Sequence, residues 1–162
     1  MKTISLRGLF MVLLVSWTPV YAQVPVTASG DQQSLLQSGD PTLAANKRLV
    51  FDFWREVLEG GHLELTDKYL APDYIQHNPV VPTGRAGFVS FFSEIAKPHD
   101  IKPTIQAPLV SVVAEKDLVV LSFVRERADP TDATKKYTTT GFDMFRVEGG
   151  KIVEHWDTAT KQ

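Results

Sequence analysis

The longest helical pattern in the chain runs from Asp40 to the Gly60-Gly61 pair. Asp40 can accept hydrogen bonds from the first free helical amides, Pro41 suits the first helical position, and the two glycines favour termination. Apolar residues fall on one side of this helix, and charged residues lie largely opposite. The apolar positions are Leu43, Val50, Phe53, Trp54, Val57 and Leu58. The pattern therefore predicts an amphipathic helix that packs against a core.

Two further helical patterns follow before the periodicity changes. A short helix is predicted over residues 62–70, and a third over residues 85–96, where Pro98 prevents continuation. The third helix has a broad apolar face made of Phe88, Val89, Phe91, Phe92 and Ile95. Three helices are thus expected to precede any strand.

Beyond Pro98 the pattern becomes extended, with runs rich in Val, Ile, Thr, Phe and Tyr. These runs predict strands over residues 104–114, 117–127, 136–148 and 151–158, joined by connections short enough for antiparallel hairpins. Helices followed by strands predict an α+β fold, with three helices packed on one face of a curved antiparallel sheet of about four strands. Such a sheet and its helices can enclose a pocket.

The first 22 residues have the pattern of a secretory signal peptide. Lys2 and Arg7 precede an apolar run, and Val20-Tyr21-Ala22 offers small residues at the spacing of a cleavage site. The run is too short for a membrane span of about 20 apolar residues. We therefore expect a secreted or periplasmic protein that has no membrane contact after cleavage.

The remaining chain divides into two parts. Residues 23–39 contain Gln, Ser, Gly and Pro with little apolar periodicity, which predicts a flexible lead-in. Residues 40–162 have the length of a single domain with room for a core and a pocket.

Composition narrows the possible chemistry. The chain has no cysteine, so disulfides and thiolate chemistry are excluded, and catalysis must use His, Asp, Glu, Tyr or Ser. Its formal charge is −2, and loss of Lys2 and Arg7 with the signal peptide makes it more acidic. A nucleic-acid partner is therefore not expected.

Two polar segments carry the candidate site. The first, Tyr74-Ile75-Gln76-His77-Asn78-Pro79, links the second and third predicted helices, and its prolines stiffen it. The second is His155-Trp156-Asp157, where alternation places His155 and Asp157 on one face of the last strand with Val153. A histidine and a carboxylate about 7 Å apart could share acid and base roles on one substrate. Both segments could instead be structural, as a self-satisfied loop and as an edge strand with Trp156 in the core.

The hairpin before the last strand has two possible registers. If Gly149-Gly150 form a two-residue turn, Phe142 faces Asp157, and Arg146 joins the site. If the turn takes one more residue with a bulge, Asp143 faces the histidine of the last strand, and two carboxylates flank one imidazole. A shift of one residue therefore changes the site.

The segment 74–79 is followed by Gly84, and residues 142–147 lead into residues 150–157. These motifs and the order of elements resemble the SnoaL-like branch of the nuclear transport factor 2-like superfamily, over most of residues 41–157. The resemblance implies a cone-shaped α+β barrel enclosing a pocket, often in a dimer, so we expect a homodimer. In SnoaL-like cyclases a pocket aspartate acts as the acid/base. The similar position here is Asp157, with His155, His77 and Asn78 as neighbours.

The superfamily includes cyclases, isomerases, dehydratases, epoxide hydrolases and non-catalytic domains, so the site has to decide the function. Our first hypothesis is a cofactor-independent acid/base enzyme of one of these classes, acting on an apolar carbonyl compound. Asp157 would remove a proton alpha to the carbonyl, and His77 or His155 would stabilise the enolate. The expected substrate contacts are Tyr74, Asn78, Phe88, Phe92, Phe142, Asp143 and Trp54.

Two alternatives remain open. One is an exported small-ligand-binding module, in which the same polar residues only orient the ligand. The other is a metal site formed by His77, His155 and Asp157 as a two-histidine, one-carboxylate set. Because no local ligand motif such as His-Glu-x-x-His is present, we expect neither a metal nor a cofactor.

Overall fold

The computed structural model describes residues 23–161, in which three α-helices pack on a five-stranded sheet. Helix α1 spans Pro41–Phe53 and continues as a π-helical segment, Trp54–Glu59, while α2 spans Thr66–Tyr69 and α3 spans Arg85–Ser93. The predicted α+β class is confirmed. Within residues 23–161, none of the helices combines the length and the apolar character that a membrane span requires. The predicted signal peptide, residues 1–22, lies outside the described residues.

The strands are β1 (Leu70–Gln76), β2 (Leu109–Glu115), β3 (Leu118–Asp129), β4 (Asp132–Glu148) and β5 (Lys151–Asp157). Their order in the sheet is β1-β5-β4-β3-β2. All neighbours are antiparallel except β1 and β5, which are parallel. The sheet is open, with β1 and β2 at its edges. The expected cone shape is therefore formed by an open sheet together with the helices, and not by a closed barrel.

Strand β1 was not predicted. Residues 62–70 were expected to form a helix, but only Thr66–Tyr69 is α-helical, and the chain becomes extended at Leu70. Pro72 interrupts the strand pattern in the sequence, and it is tolerated because β1 is an edge strand. As a result Gln76, expected in a loop, is paired directly with His155.

Helix α1 begins as predicted and ends with a change in its hydrogen bonding. Oδ1 of Asp40 accepts hydrogen bonds from the N–H groups of Thr42 at 2.7 Å and Leu43 at 3.3 Å. At the other end, the N–H of Gly60 donates to the carbonyl oxygen of Arg55, five residues earlier, at 3.0 Å. This π-helical bonding widens the last turns, a feature that is frequent at functional sites.

The segment 23–39, predicted to be a flexible lead-in, lies against the domain. The N–H of Val26 donates to Oγ1 of Thr138 at 2.7 Å, and the N–H of Ser29 donates to the carbonyl oxygen of Leu109 at 2.8 Å. Leu36 is buried in the core. The sequence does not reveal this docking, because most of the contacts are hydrogen bonds between a polar side chain on one partner and a backbone group on the other, which leave no apolar periodicity.

The centre of the core is an aromatic cluster around Phe53. Its ring centroid lies 5.9 Å from that of Tyr69, 5.8 Å from that of Phe88 and 6.1 Å from that of Phe145. These rings come from α1, α2, α3 and β4, so one cluster joins all three helices to the sheet. Aromatic pairs at these separations contribute about 1 kcal/mol each beyond the area they bury.

A buried carboxylate, Glu56, lies beside this cluster. Its Oε2 accepts a hydrogen bond from the hydroxyl of Tyr69 and another from Lys68 at 3.1 Å, while Arg55 donates to Oε1 at 2.8 Å. Burial acts to raise the pKa of Glu56, but these hydrogen bonds and cations lower it by more. Burial and the same hydrogen bond raise the pKa of Tyr69 to about 12. The carboxylate therefore stabilises the fold in its charged form.

We expect Tyr69→Phe to lower the free energy of unfolding by about 2 kcal/mol near neutral pH, because Glu56 loses a donor in a buried site. A carboxyl with a lowered pKa stabilises the protein above its unfolded pKa, near 4.5, and this contribution disappears as the pH falls through the folded value. Urea unfolding at several pH values should therefore show the difference between the two proteins shrinking in acid.

Tyr137→Phe is the matched control, because Tyr137 is 41% exposed. It should change stability by less than about 0.5 kcal/mol. Equal effects of the two substitutions would contradict a stabilising role for the Glu56 contact.

Candidate active site

A cavity of about 310 Å³ lies between the widened end of α1, helix α3 and the sheet. Most of its wall is apolar and is formed by Phe53, Trp54, Leu58, Val81, Phe88, Phe92, Ala107 and Phe145. The polar side chains at the wall are Glu59, Tyr74, Gln76, Asn78, Asp143, His155 and Asp157. Sites of this kind bind small molecules through apolar contacts and a few oriented polar groups.

The register between β4 and β5 determines which polar groups reach the cavity. Gly149 and Gly150 form a two-residue turn with φ of 55° and 74°, a left-handed conformation that favours glycine. The strands pair from Glu148 and Lys151, but Val153 is then an extra residue in β5. Beyond this bulge, Phe145 pairs with His155.

Neither of the two registers considered from the sequence is correct. The turn has the shorter length, but the bulge in β5 shifts the pairing so that Asp143 lies opposite Asp157. A bulge reverses the alternation of faces beyond it, which is why Ile152 and His155 are both buried although they are three residues apart. Asp143 and Asp157 therefore flank His155, as expected for the second alternative, although the register that brings them there is a different one.

Asp143, His155 and Asp157 form the polar cluster of the site. Nε2 of His155 lies 3.2 Å from Oδ1 of Asp143, and both side chains are buried. The imidazole also stacks on Phe145, with ring centroids 4.5 Å apart. The histidine is thus held between an aromatic ring and a carboxyl group at the cavity wall.

Gln76 determines the tautomer of His155. The backbone N–H of Asn78 can only donate, and it donates to Oε1 of Gln76 at 2.9 Å, which fixes the orientation of the amide. The same oxygen lies 2.9 Å from Nδ1 of His155, so Nδ1 must carry a proton. The contact between Nε2 and Asp143 then requires one further proton, carried by either group.

Asp157 is positioned by two donors. The side-chain amide of Asn78 donates to Oδ2 at 2.6 Å, and the backbone N–H of Ala159 donates to Oδ1 at 2.9 Å. Both contacts restrict rotation of the carboxylate at the edge of the cavity. Asn78 therefore acts on Asp157 as Gln76 acts on His155, and the two come from the last residue of β1 and the second residue after it.

Tyr74 contributes a hydroxyl group to the same wall. Its side chain is buried, and its Oη accepts a hydrogen bond from Nε2 of Gln76 at 3.0 Å. Burial, with the negative charges of Asp157 and Asp143, raises its pKa well above its ordinary value. Among the described residues the hydroxyl has no protein acceptor, so its proton is available to a bound molecule.

Two predicted site residues lie elsewhere. His77 stacks on Trp156 on the opposite face of β5, with ring centroids 5.0 Å apart, and its Nε2 lies 2.8 Å from Oε1 of Glu154. Phe142 alternates with Asp143 and is 49% exposed on that outer face. The expectation that these two side chains share the cavity was therefore wrong, because strand alternation turns Phe142 outward and His77, just after β1, stacks on the outer face of β5.

The other predicted residues do meet at the cavity, and two further polar residues, Gln76 and Glu59, join them. Trp54, Tyr74, Asn78, Phe88, Phe92, Asp143, His155 and Asp157 all line it. Gln76 was within the first polar segment but was not singled out. Glu59 was also missed, because a carboxylate near a helix end gives no sequence signal. Its oxygens accept hydrogen bonds from Trp54 and from the N–H groups of Gln106 and Ala107.

The residues that could hold a metal differ from those considered in the sequence. One ligand atom from each of Asp143, His155 and Asp157 lies within 4.8 Å of the others. His77 lies on the other face of the strand, so the set of His77, His155 and Asp157 does not converge. A guanidinium nitrogen of Arg125, 4.0 Å from Oδ2 of Asp143, opposes a cation at this cluster.

Residues 50–155 match the family model of the SnoaL-like domain. This chain belongs to the SnoaL-like family. The resemblance inferred from its motifs is thereby confirmed, as is the nuclear transport factor 2-like fold. Among curated protein sequences, no significant match to the chain was found.

Solved structures support the same fold. A proposed polyketide cyclase from Acidithiobacillus ferrooxidans is similar to this SnoaL-like chain, with 22% identity and a TM-score of 0.50, over 75% of this chain and 89% of that one. A proposed SnoaL-like polyketide cyclase from Jannaschia sp. CCS1 has 15% identity and a TM-score of 0.50, over 75% and 91%. At these identities the likeness shows the fold alone.

We expect Nδ1 of His155 to carry a proton in the folded protein, because the oxygen of Gln76 faces it. Nitrogen-15 NMR of the imidazole measures this directly. Gln76→Met should release the constraint and give a mixture of tautomers, whereas Gln106→Met, in an exposed loop, should leave the spectrum unchanged. An unprotonated Nδ1 in the unmodified protein would show that this network is incorrect.

Proposed function

We propose that this SnoaL-like protein is a cofactor-independent acid/base enzyme that acts on a largely apolar small molecule containing a carbonyl group. The observation that carries this proposal is the convergence of Asp143, His155 and Asp157, with the hydroxyl of Tyr74, on one wall of an aromatic cavity. A cavity of this kind excludes water, which strengthens each polar interaction with a bound substrate.

Asp157 is the proposed base. Because Asp143 and His155 share one proton beyond that on Nδ1, the pair carries no net charge in either arrangement. Asp157 is then the carboxylate of the cluster whose charge is not offset by an adjacent imidazole. Its contacts with Asn78 and Ala159 hold it in one orientation at the cavity edge.

Tyr74 is the proposed donor to the carbonyl oxygen. His77, one of the two donors expected from the sequence, lies outside the cavity, and both ring nitrogens of His155 face protein groups. The hydroxyl of Tyr74 keeps its proton because its pKa is raised, and it has no acceptor among the described residues. It can therefore stabilise negative charge as that charge develops on the substrate.

The proposed step is a proton abstraction next to the carbonyl. The C–H bond alpha to the carbonyl breaks, its proton moves to Asp157, and its electron pair forms the enolate, whose oxygen accepts a hydrogen bond from Tyr74. The enolate can then regain the proton at another carbon, as in an isomerase, or attack a second carbonyl carbon of the same molecule, as in an aldol cyclase. Both outcomes need the same two groups.

Deuterium uptake tests this step without knowledge of the natural substrate. We expect the protein to accelerate exchange of the alpha hydrogens of 2-tetralone and related ketones in D₂O, followed by proton NMR. Asp157→Asn should lower the enzymatic rate by at least about 100-fold, since a general base contributes at least that much. Asp73→Asn is the matched control, because Asp73 is exposed on β1.

Two results would contradict the proposal. One is undiminished exchange in Asp157→Asn. The other is an unmodified protein that binds these ketones without accelerating exchange, which would favour the exported binding module. Fluorescence of Trp54, which lines the cavity, detects binding independently of exchange.

Export to the periplasm or medium and assembly as a homodimer are also part of this proposal. The support for a dimer is the outer face of the sheet, where Val113 is 56% exposed and Phe142 is 49% exposed beside Met144 and Trp156. A second copy of the chain would cover this face.

If a dimer forms through that face, Phe142→Glu should convert it to a monomer, because two charges would meet apolar surface. Light scattering during size-exclusion chromatography measures the mass. Ile95→Glu, at an exposed site outside the sheet, is the control. A dimer that survives Phe142→Glu, or an unmodified protein that is monomeric, would contradict this interface.

A further inference from the structure

A polar vestibule adjoins the cavity on the far side of the carboxylate pair. It has a volume of about 360 Å³ and is lined by Arg125, Arg127, Asp143, Asp157 and residues 158–160. Asp143 and Asp157 line both spaces. The site thus consists of an apolar compartment and a polar one, with the proposed acid/base groups between them.

The vestibule contains two arginines whose guanidinium N–H groups make no hydrogen bond to the residues that the structure describes. Arg125 and Arg127 are two positions apart on β3, so both continue the face of the sheet that carries Phe123. Arg125 approaches Asp143 only to 4.0 Å, which is too long for a hydrogen bond. Within residues 23–161, Arg127 has no ion pair, and neither guanidinium donates a hydrogen bond. Each offers five N–H donors.

The position of Arg125 is built into the sheet. Its guanidinium carbon lies 5.5 Å from the ring centroid of Phe123, and its side chain crosses Gly141 on the neighbouring strand. A Cβ at Gly141 would lie 2.6 Å from Nε of Arg125, so any larger residue there would displace the arginine. The absence of a side chain at Gly141 leaves the space that Arg125 occupies.

We propose that the vestibule is an anion-binding subsite, in which Arg125 and Arg127 bind the carboxylate of an amphipathic acid. The apolar part of the acid occupies the aromatic cavity, and its carbonyl group lies beside Asp157 and Tyr74. This inference rests on the proposed function only for the position of the carbonyl.

Carboxylate fits the subsite better than a more highly charged group. A guanidinium matches the two oxygens of a carboxylate with paired hydrogen bonds. The carboxylate of Asp157 lies at the same vestibule, and its repulsion acts against a dianion such as a phosphate monoester more strongly than against a monoanion. The expected substrate class is therefore an aryl or alicyclic keto acid.

Binding of acids and their neutral amides tests the subsite. The probes are 2-naphthylacetate and 2-naphthylacetamide, with one-ring phenyl analogues of each, titrated by calorimetry at two salt concentrations. The unmodified protein should bind the acids at least about 10-fold more tightly than the amides, since charge-assisted hydrogen bonds are stronger than neutral ones. Added salt should weaken binding of the acids alone.

Three variants separate this subsite from a general effect of charge. The double variant Arg125→Gln, Arg127→Gln should bind acid and amide about equally, with amide binding unchanged. Gly141→Ala should weaken acid binding although it removes no charge, because it displaces Arg125. Arg48→Gln, on α1 and outside both compartments, should keep the preference for acids.

A preference for acids that survives in the double variant, with circular dichroism unchanged, would overturn the subsite. So would equal affinity of the unmodified protein for acids and amides, or no binding of any of these acids. Asp157→Asn should retain acid binding. Undiminished proton exchange in this variant, or no exchange by an unmodified protein that still prefers acids, would therefore contradict the proposed reaction and leave the subsite intact.

Discussion

The extra residue in β5 is the constraint on which the site depends. Side chains of a regular strand alternate between faces, so without a bulge Ile152 and His155 could not both point inward. Val153 is the additional residue and has no partner in β4. Beyond it, His155 and Asp157 face the cavity, while Ile152 remains in the core. The same shift places Asp143 opposite Asp157. A structural irregularity of one residue thus brings three polar groups to one wall.

The polar wall works together with the apolar remainder of the cavity. Phe145 stacks on His155, and Trp54 stacks on Phe123 with ring centroids 4.5 Å apart, so the aromatic core continues directly into the cavity. The π-helical end of α1 supplies Trp54 to this lining. A fixed and poorly hydrated surrounding of this type lets a few oriented dipoles and charges act strongly on a bound molecule. Arg125 and Arg127 lie where the apolar lining ends.

The three helices, the four C-terminal strands and most of the cavity residues could be predicted from the sequence, since helix and strand periods are properties of local segments, but the strand between the second and third helices was missed. The helix from Pro41 and the four C-terminal strands follow from such patterns. The features that were missed depend on tertiary pairing. Strand β1 contains Pro72 and is held by parallel pairing with β5. His77 belongs to a polar motif in the sequence, but in the structure it stacks on Trp156, on the outer face of β5. This contact, which the sequence does not show, places it outside the cavity.

The bulge could not be predicted for the same reason. The turn at Gly149 and Gly150 has a clear sequence signal, but nothing in the run from Lys151 marks Val153 as unpaired. The family resemblance pointed to Asp157 as a candidate site residue without this information. A match of motifs aligns positions in two sequences, but it does not show how the strands pair. The structure adds the partners, of which Gln76 and Asn78 are the most informative, since they fix His155 and Asp157.

The bulge in β5 turns His155 into the cavity together with Asp143 and Asp157. Nuclear Overhauser contacts of the His155 ring in solution test it most directly. We expect contacts to the ring of Phe145, its partner across the strands. Contacts to the side chain of Met144 instead, as a hairpin without the bulge would give, would show that His155 does not face the cavity.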